Sequence, residues 1–181
     1  DLEPDVPTVS FVGRIDPLKD LATLIEAFAI VRDSVPDARL RLFGPTPAGN
    51  EAYRGELDAL VVACGLEASV TFEGAVPSAR PAIEAGHVVA LSSISEGLPY
   101  TVIESMMCGR ATVNTDVGGV NECVGRDETC GLLVPPRDAQ ALGEALVRLL
   151  VDDAERQAMG RRARERALST FDLAKFTARY R

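Results

Sequence analysis

The chain has 181 residues, of which 46% are apolar and 25% are charged, and its formal net charge is −8. This length and composition predict one globular domain and exclude a collagen-like, disulfide-scaffold or largely disordered protein. No apolar stretch approaches the roughly 18 residues that a membrane-spanning helix needs. The excess of acidic over basic side chains argues against a nucleic-acid partner, whose phosphates require many cations.

The chain has four cysteines, at Cys64, Cys108, Cys123 and Cys130, and no two of them form a C-x-x-C pair. Because His87 is also the single histidine, a zinc site has little support. No signal peptide precedes them, and we therefore expect free thiols in a cytoplasmic protein. Contact with the inner face of the membrane stays open. Because the chain starts at Asp1 and a strand pattern follows almost at once, we expect it to be part of a longer protein.

Short β-rich runs alternate with helical patterns along the first part of the chain. Strands are predicted at residues 8–13, 38–44, 69–74, 87–92, 111–115 and 131–134. Helices are predicted over 18–35, through Leu57 to a stop near Gly65, and over 78–85 and 99–108. This alternation predicts an α/β fold, a Rossmann-like doubly wound parallel sheet that occupies residues 1–137. Ligands of such sheets lie beyond the carboxyl ends of the strands.

Residues 138–181 are predicted to form a helical C-terminal tail of the same domain. Asp138 is the expected N-cap of a helix over 139–150, and Asp152-x-x-Glu155 has the capping-box pattern of a second helix. A third helix is predicted from the apolar face of Leu173, Phe176 and Tyr180.

The turn after the first predicted strand carries two cations. It contains the sequence G-R-I-D-P-L-K, in which Arg14 and Lys19 flank the turn. Two cations beyond a strand's carboxyl end can hold a phosphate or a diphosphate. From spacing alone, a surface pair that bridges to neighbouring acids is an equally good interpretation.

The sequence S-E-G-L-P-Y-T-V-I-E after the fourth predicted strand has the composition of an anion-binding helix start. Pro99 suits the first turn of a helix, and the amides of Tyr100, Thr101 and Val102 are expected to point out of the helix start, where an anion is favoured. Glu104 can accept hydrogen bonds from vicinal sugar hydroxyls. The alternative is that Glu96 caps the helix and Glu104 is an ordinary acid.

Four motifs together carry a resemblance to a known family. G-R-x4-K, S-E-G-L-P-Y-T-V-I-E-S-M-M-C-G, T-D-V-G-G-V-N-E and G-L-L-V-P-P-R-D resemble the donor-binding half of family 4 glycosyltransferases, in order and over nearly the whole chain. The resemblance implies one half of a GT-B fold and a retaining, metal-independent transferase. The segment S-I-S-E-G-L-P-Y of this chain resembles the corresponding segment of bacterial exopolysaccharide synthases that use UDP-sugars.

The resemblance implies roles for individual residues. Arg14 and Lys19 hold the donor diphosphate together with the amides of Tyr100 and Thr101. Glu104 binds the ribose, and Glu96 contacts the transferred sugar. The base lies against the turns at Gly44-Pro45 and Ala75-Val76, and Gly118 and Gly119 keep a loop close to the backbone of the cleft. Catalytic roles are implied for Glu96, Arg14 and Lys19; the implied donor-binding set is Gly13, Arg14, Lys19, Gly44, Pro45, Val76, Glu96, Gly97, Leu98, Pro99, Tyr100, Thr101 and Glu104.

The function expected from the resemblance is binding of a nucleotide-sugar donor, a UDP-sugar in preference to a GDP- or ADP-sugar. A glycan or other hydroxyl acceptor would be bound by an N-terminal domain outside this chain, and the domain alone would turn over poorly. No cofactor or metal is expected, and the chain has no D-x-D. A GT-B nucleotide-sugar epimerase and a non-catalytic nucleotide-binding module are the alternatives.

Several other features favour plain structural roles. The G-x4-G spacing at residues 44–49 lacks the Lys-Ser/Thr of a phosphate-binding P-loop. His87 and the run Met106, Met107 and Cys108 are expected to be structural. The basic run of Arg161, Arg162, Arg164 and Arg166 is expected to form a solvated face, with a lipid surface as the alternative partner.

Overall fold

The computed structural model describes residues 4–171. Its six strands form one parallel sheet in the order β3-β2-β1-β4-β5-β6. The strands are β1 (Thr8–Val12), β2 (Arg39–Phe43), β3 (Val70–Gly74), β4 (Val88–Leu91), β5 (Ala111–Thr115) and β6 (Leu132–Val134). Each strand lies within about two residues of its predicted limits, because buried β-branched and aromatic runs between turns define them.

Within residues 4–171, seven α-helices connect and cover the strands. They are α1 (Leu21–Ser34), α2 (Glu51–Ala63), α3 (Ala79–Glu84), α4 (Tyr100–Met107), α5 (Val120–Val124), α6 (Ala139–Val151) and α7 (Asp153–Thr170). The helix predicted from residue 18 is split. Pro17–Lys19 form a 3-10 turn, and Asp20, with φ of 47°, ends that turn before α1 begins. A left-handed residue cannot continue a right-handed helix.

Two buried clusters hold the helices to the sheet. The larger cluster joins α1, α2 and α6 to side chains of all six strands, among them Phe11, Phe28 and Leu146. The smaller cluster joins α4, α5 and α7, around Val102, Met106 and Cys123. Helices on a fully parallel, largely buried sheet give the Rossmann-like α/β fold that the sequence predicts.

The helical tail is confirmed for its first two helices. Asp138 caps α6 by accepting a hydrogen bond from the amide of Ala141 at 2.9 Å. Asp152 caps α7 by accepting one from the amide of Glu155 at 2.8 Å. The third predicted helix, with Leu173, Phe176 and Tyr180, lies outside the described residues.

The basic run on α7 is a solvated face, as predicted, for Arg161, Arg162 and Arg164, which are exposed, whereas Arg166 is half-buried. Three of the four also donate hydrogen bonds to backbone carbonyls. Arg162 donates to Thr129 O at 2.9 Å, Arg164 donates to Met107 O, and Arg166 donates to Cys123 O at 2.6 Å. The carbonyls at Met107 and Cys123 lie in the last turns of α4 and α5, where they lack intrahelical donors and carry partial negative charge. Arg164 and Arg166 therefore fasten α7 to the ends of α4 and α5, and Arg162 fastens it to the loop at Thr129.

The remaining structural predictions have mixed outcomes. All four cysteines are free, and the Nδ1 of His87 accepts a hydrogen bond from the amide of Thr8 at 3.1 Å. Met106 is fully buried, whereas Met107 and Cys108 are only half-buried because they lie at the end of α4. Within residues 4–171 no helix has both the length and the apolar character to cross a membrane.

Candidate functional site

The sheet has one point at which its strand order reverses, between β1 and β4. These two strands are neighbours, and from them the chain proceeds to opposite edges of the sheet. At the carboxyl ends of β1 and β4, the loops that follow these strands therefore run in opposite directions and leave a crevice between them. Open α/β sheets bind ligands in such a crevice. Both motifs that carry the candidate charged residues follow these strands.

Lys19 and Glu96 meet across this crevice. The Lys19 Nζ lies 2.6 Å from Glu96 Oε1, and the two side chains are only 21% and 12% exposed. Ser93 Oγ donates to the same carboxylate oxygen at 2.6 Å. Half-buried, charge-assisted hydrogen bonds of this length are strong. Glu96 makes no capping bond to α4, so the alternative interpretation of Glu96 as a helix cap is wrong.

The backbones on which these two residues stand are also fastened together. Ser92 Oγ donates to Lys19 O at 2.7 Å, and the amide of Ile94 donates to Leu18 O at 2.9 Å. From the neighbouring strand β5, Thr115 Oγ1 donates to Ser93 O at 2.6 Å. The ion pair is thus held on a rigid base.

Arg14 is more exposed and more loosely held. Its side chain is 65% exposed, and its Nη2 lies 3.2 Å from Asp16 Oδ2. Asp16 is buried, and its Oδ1 accepts a hydrogen bond from the amide of Leu18 at 3.0 Å. A pair with so exposed a cation contributes little free energy, so the guanidinium can exchange this partner for another anion. Both candidate cations therefore have carboxylate partners in this structure.

The start of α4 offers one amide and not three. The amide of Tyr100 donates to Leu98 O at 3.0 Å, and that of Val102 donates to Pro99 O at 3.0 Å. The expectation of free amides is therefore wrong for these two residues. The amide of Thr101 has no partner among residues 4–171, while Thr101 Oγ1 donates to Val12 O at 3.1 Å. This last bond fixes the start of α4 to the end of β1.

Two glycines bring the loop after β5 against the Glu96 backbone. A Cβ at Gly118 would lie 1.7 Å from Glu96 O, and Gly118 has φ of +51°. The amide of Gly119 donates to Gly97 O at 3.2 Å. The predicted close approach of Gly118 and Gly119 is confirmed, since only a residue without a Cβ fits beside this carbonyl.

The turns after β1, β2 and β3 lie side by side. The amide of Gly13 donates to Phe43 O at 2.9 Å, and the amide of Gly44 donates to Gly74 O at 2.8 Å. A Cβ at Gly44 would lie 1.8 Å from Gly13 O. Beyond them, the amide of Ile15 donates to Pro45 O at 2.9 Å, and Val76 follows the carboxyl end of β3, so both belong to the same edge as Gly13.

The other members of the predicted set lie around the start of α4. Gly97 and Leu98 are exposed, and Pro99 is buried beneath them. Glu104 lies one turn further along α4 and is exposed, and no hydrogen bond to its carboxylate is present in the described part of the chain. Its carboxylate is therefore available to a ligand.

Two cavities lie at the same edge of the sheet, and their residues are not in the predicted set. One, of about 350 Å³, is lined by Leu18, Ile94, Ser95, Pro136 and Arg137. The other, of about 510 Å³, lies towards β6 and includes Asp116 and Arg126. Hydrogen bonds from Asn121 and Arg126 lower the pKa of the Asp116 carboxyl. The motif G-L-L-V-P-P-R-D identifies the loop with Pro136 and Arg137 but gives no reason to place it beside residue 95.

No group of three or more His, Cys, Asp or Glu side chains arranged to hold a metal ion occurs between residues 4 and 171. The positive charge of the site comes from Arg14, Lys19 and the start of α4. These groups suit a ligand that carries a diphosphate.

Comparison with known proteins assigns the family. The family model described as glycosyl transferases group 1 matches residues 6–152. The chain belongs to this family. The D-inositol 3-phosphate glycosyltransferase of Jonesia denitrificans is 33% identical over 173 residues, which are 92% of this chain and 40% of the relative. The alpha-D-kanosaminyltransferase of Streptomyces kanamyceticus is 33% identical over 94% of this chain and 43% of its own. This group 1 glycosyltransferase chain thus spans about two-fifths of the curated relatives that it matches.

Solved structures match the whole described fold. The HepE protein of Anabaena, solved in complex with UDP and glucose, matches with a TM-score of 0.91 and 25% identity, over 97% of this chain and 47% of that one. Sucrose-phosphate synthase from Thermosynechococcus elongatus matches with a TM-score of 0.87 and 34% identity, over 97% and 44%. The predicted fold class, one Rossmann-like half of a GT-B glycosyltransferase with a helical C-terminal part, is confirmed.

Proposed function

We propose that this chain binds the UDP-sugar donor of a retaining family 4 glycosyltransferase, which transfers the sugar to a hydroxyl acceptor. The observation that carries the proposal is the Lys19–Glu96 pair, which lies in the β1/β4 crevice. Structures of HepE with UDP and with UDP-glucose support this donor, because that protein matches this chain over 97% of its length.

The diphosphate is the part of the donor that Lys19, Arg14 and the Thr101 amide recognise. The ammonium of Lys19 has three N–H groups and donates one hydrogen bond to Glu96, so two N–H groups remain for phosphate oxygens. Arg14 exchanges its weak, exposed contact with Asp16 for a charge-assisted bond to phosphate. The unpartnered amide of Thr101 adds a fixed donor at the positive end of α4.

Glu96 and Glu104 recognise hydroxyl groups. Lys19 and Ser93 both donate to Glu96 Oε1, so Oε2 remains to accept a hydrogen bond from the transferred sugar. Glu104, exposed on α4, accepts hydrogen bonds from the ribose. The base lies against the turns at Gly44-Pro45 and Val76, next to Gly13.

The reaction needs positive charge where the donor bond breaks. The bond between the anomeric carbon and the diphosphate oxygen breaks, its electron pair stays on the leaving UDP, and the acceptor oxygen bonds to the same carbon on the same face of the sugar. The acceptor's proton passes to the oxygen of the leaving diphosphate as that bond forms. Lys19, Arg14 and the start of α4 stabilise the charge that grows on the diphosphate, the task of preorganised donors in group transfer. We propose that no metal shares this task.

Most of the acceptor is bound by another part of the full-length enzyme. The relative named for inositol 3-phosphate and the resemblance to exopolysaccharide synthases point to different acceptors for a shared donor half. The relative named for kanosaminyl transfer points to a different transferred sugar. We propose that the enzyme works in the cytoplasm, where free thiols like these four persist.

Calorimetric titration of the chain with UDP, GDP and ADP tests the proposal. We expect UDP to bind most tightly, and Lys19→Ala and Glu104→Ala each to weaken UDP binding by about tenfold, as the loss of one charged contact does. Arg161→Ala is the matched control, because Arg161 is an exposed cation of α7 far along the chain from the site. Binding of no nucleotide, or equal loss in the control, contradicts the proposal. Conversion of UDP-glucose without an acceptor would instead favour an epimerase.

A further inference from the structure

Arg137 has a left-handed backbone conformation directly after Pro136, in the turn between β6 and α6. Three non-glycine residues among those described have positive φ: Asp20, Glu128 and Arg137, the last at 60°. Asp20 accepts a hydrogen bond from Thr23 Oγ1, and Glu128 pairs with Arg148. In the described part of the chain, the guanidinium of Arg137 has no hydrogen bond or ion pair. Left-handed backbone at a non-glycine residue costs free energy and is common at functional sites.

Arg137 is also distinctive among the cations at the ligand-binding edge. The loops that follow β1, β4 and β6 contain three cations in the described chain that face this crevice, Arg14, Lys19 and Arg137. The first two pair with carboxylates. Arg137 is thus the cation of these loops whose charge no neighbouring acid in residues 4–171 neutralises.

The cavity beside Arg137 is lined by the chain neighbours of Lys19 and Glu96. It has a volume of about 350 Å³, and its other lining residues are Leu18, Ile94, Ser95 and Pro136. Leu18 and Ser95 directly precede Lys19 and Glu96 in the chain. The walls are largely apolar, because Leu18, Ile94 and Pro136 are three of the five lining residues. Such a cavity, an apolar wall with one cation and one hydroxyl, suits the ring of a sugar that carries an anionic group.

We infer that Arg137 binds a carboxylate or phosphate on a sugar substrate that occupies this cavity beside Glu96. This inference rests on the proposed function, because Glu96 is placed there at the transferred sugar. The planar guanidinium matches either anion with two parallel hydrogen bonds. The group is distinct from the donor diphosphate, which Arg14 and Lys19 bind. Its source is either a carboxylate of the donor sugar or a phosphate of the acceptor.

Calorimetry separates the two sources. One arm titrates the chain with UDP-glucuronate and with UDP-glucose; the other titrates the UDP-saturated chain with D-inositol 3-phosphate and with inositol. We expect the anionic member of one pair to bind about tenfold more tightly, the effect of one charge-assisted contact. Arg137→Gly is expected to abolish this preference and to leave the affinity for UDP unchanged.

Arg137→Gly also separates binding from folding, because glycine relieves the left-handed conformation. We expect the Tm of this variant to be equal to or above that of the parent, while the preference for the anion disappears. Arg161→Ala, which removes the same charge from α7, should keep the preference. If neither anionic probe is preferred, or if the preference survives in Arg137→Gly, the inference is overturned and the proposed function stands. If UDP does not bind, the proposed function fails, and this inference fails with it.

Discussion

Gly118→Ala tests whether the position of the Glu96 backbone decides sugar binding. The new Cβ would lie 1.7 Å from Glu96 O, whereas ordinary carbon–oxygen contacts are about 3.3 Å, so the two loops must separate by about 1.5 Å. The left-handed φ of +51° costs alanine about 1 kcal/mol, and relief of the overlap costs a further 1–3 kcal/mol, roughly. We therefore expect the free energy of unfolding to fall by about 2–4 kcal/mol.

Gly65→Ala provides the matched control. Gly65 has φ of +66°, but a Cβ at this position would have no other atom within 4 Å, so alanine there meets only the conformational cost of about 1 kcal/mol. Urea unfolding gives the stabilities of both variants, and calorimetry gives their affinities for UDP-glucose and for UDP. A misplacement of about 1 Å can lower the rate of an enzyme reaction by as much as 100-fold. We therefore expect the displaced Glu96 backbone in Gly118→Ala to weaken UDP-glucose binding at least tenfold. Gly65→Ala should bind like the parent. Parent-like affinity for UDP-glucose in a folded Gly118→Ala chain would refute the reasoning.

Three further predictions follow from contacts described above. Arg166→Ala removes hydrogen bonds to the carbonyls of Cys123 and Glu122. In urea titrations, its free energy of unfolding should therefore lie about 1–3 kcal/mol below that of Arg161→Ala. Equal values would contradict the role of Arg166 in fastening α7 to α5. Burial raises the pKa of the Cys123 thiol to about 11, so the folded chain holds this proton more tightly than the unfolded chain does. The stability that this proton contributes is therefore complete below about pH 9 and is lost as the pH rises towards 11. Cys123→Ala should therefore lose less stability than the parent over that range, and parallel curves would count against the shift. EDTA should leave UDP affinity unchanged, whereas a loss restored by a divalent cation would show that a metal takes part.

The sequence predicts the sheet well because each strand carries its own local signal. The strands β1, β2, β3 and β6 end at or directly before Gly13, Gly44, Gly74 and Pro135, so each can be recognised without its partner in the sheet. The split before α1 is harder to foresee. It depends on the left-handed conformation of Asp20, which a helical stripe of apolar residues does not reveal.

Contacts between distant loops are the part of the site that sequence patterns do not contain. The motifs identify Lys19 and Glu96 separately, but their ion pair depends on the order of the strands. The arginines of α7 are similar: a charge run predicts solvent exposure, while their carbonyl partners come from the packing of α7 on α4 and α5. Arg137 lies within a recognisable motif, yet its conformation and the cavity beside it arise only in the folded chain.

The Lys19–Glu96 pair also bears on how the domain folds. The two residues are 77 positions apart, and β1 and β4 are joined through only two registered residue pairs, Val9 with Val88 and Ser10 with Val89. Each half of the sheet can form from contacts closer in the chain, but closing the long loop between them carries an entropic cost. The packing of α1 against α6 and the crevice contacts together must offset this cost. The site therefore exists only after the two halves have docked. A nucleotide that binds there stabilises the completed domain and neither half alone, so nucleotide binding reports that the chain has finished folding.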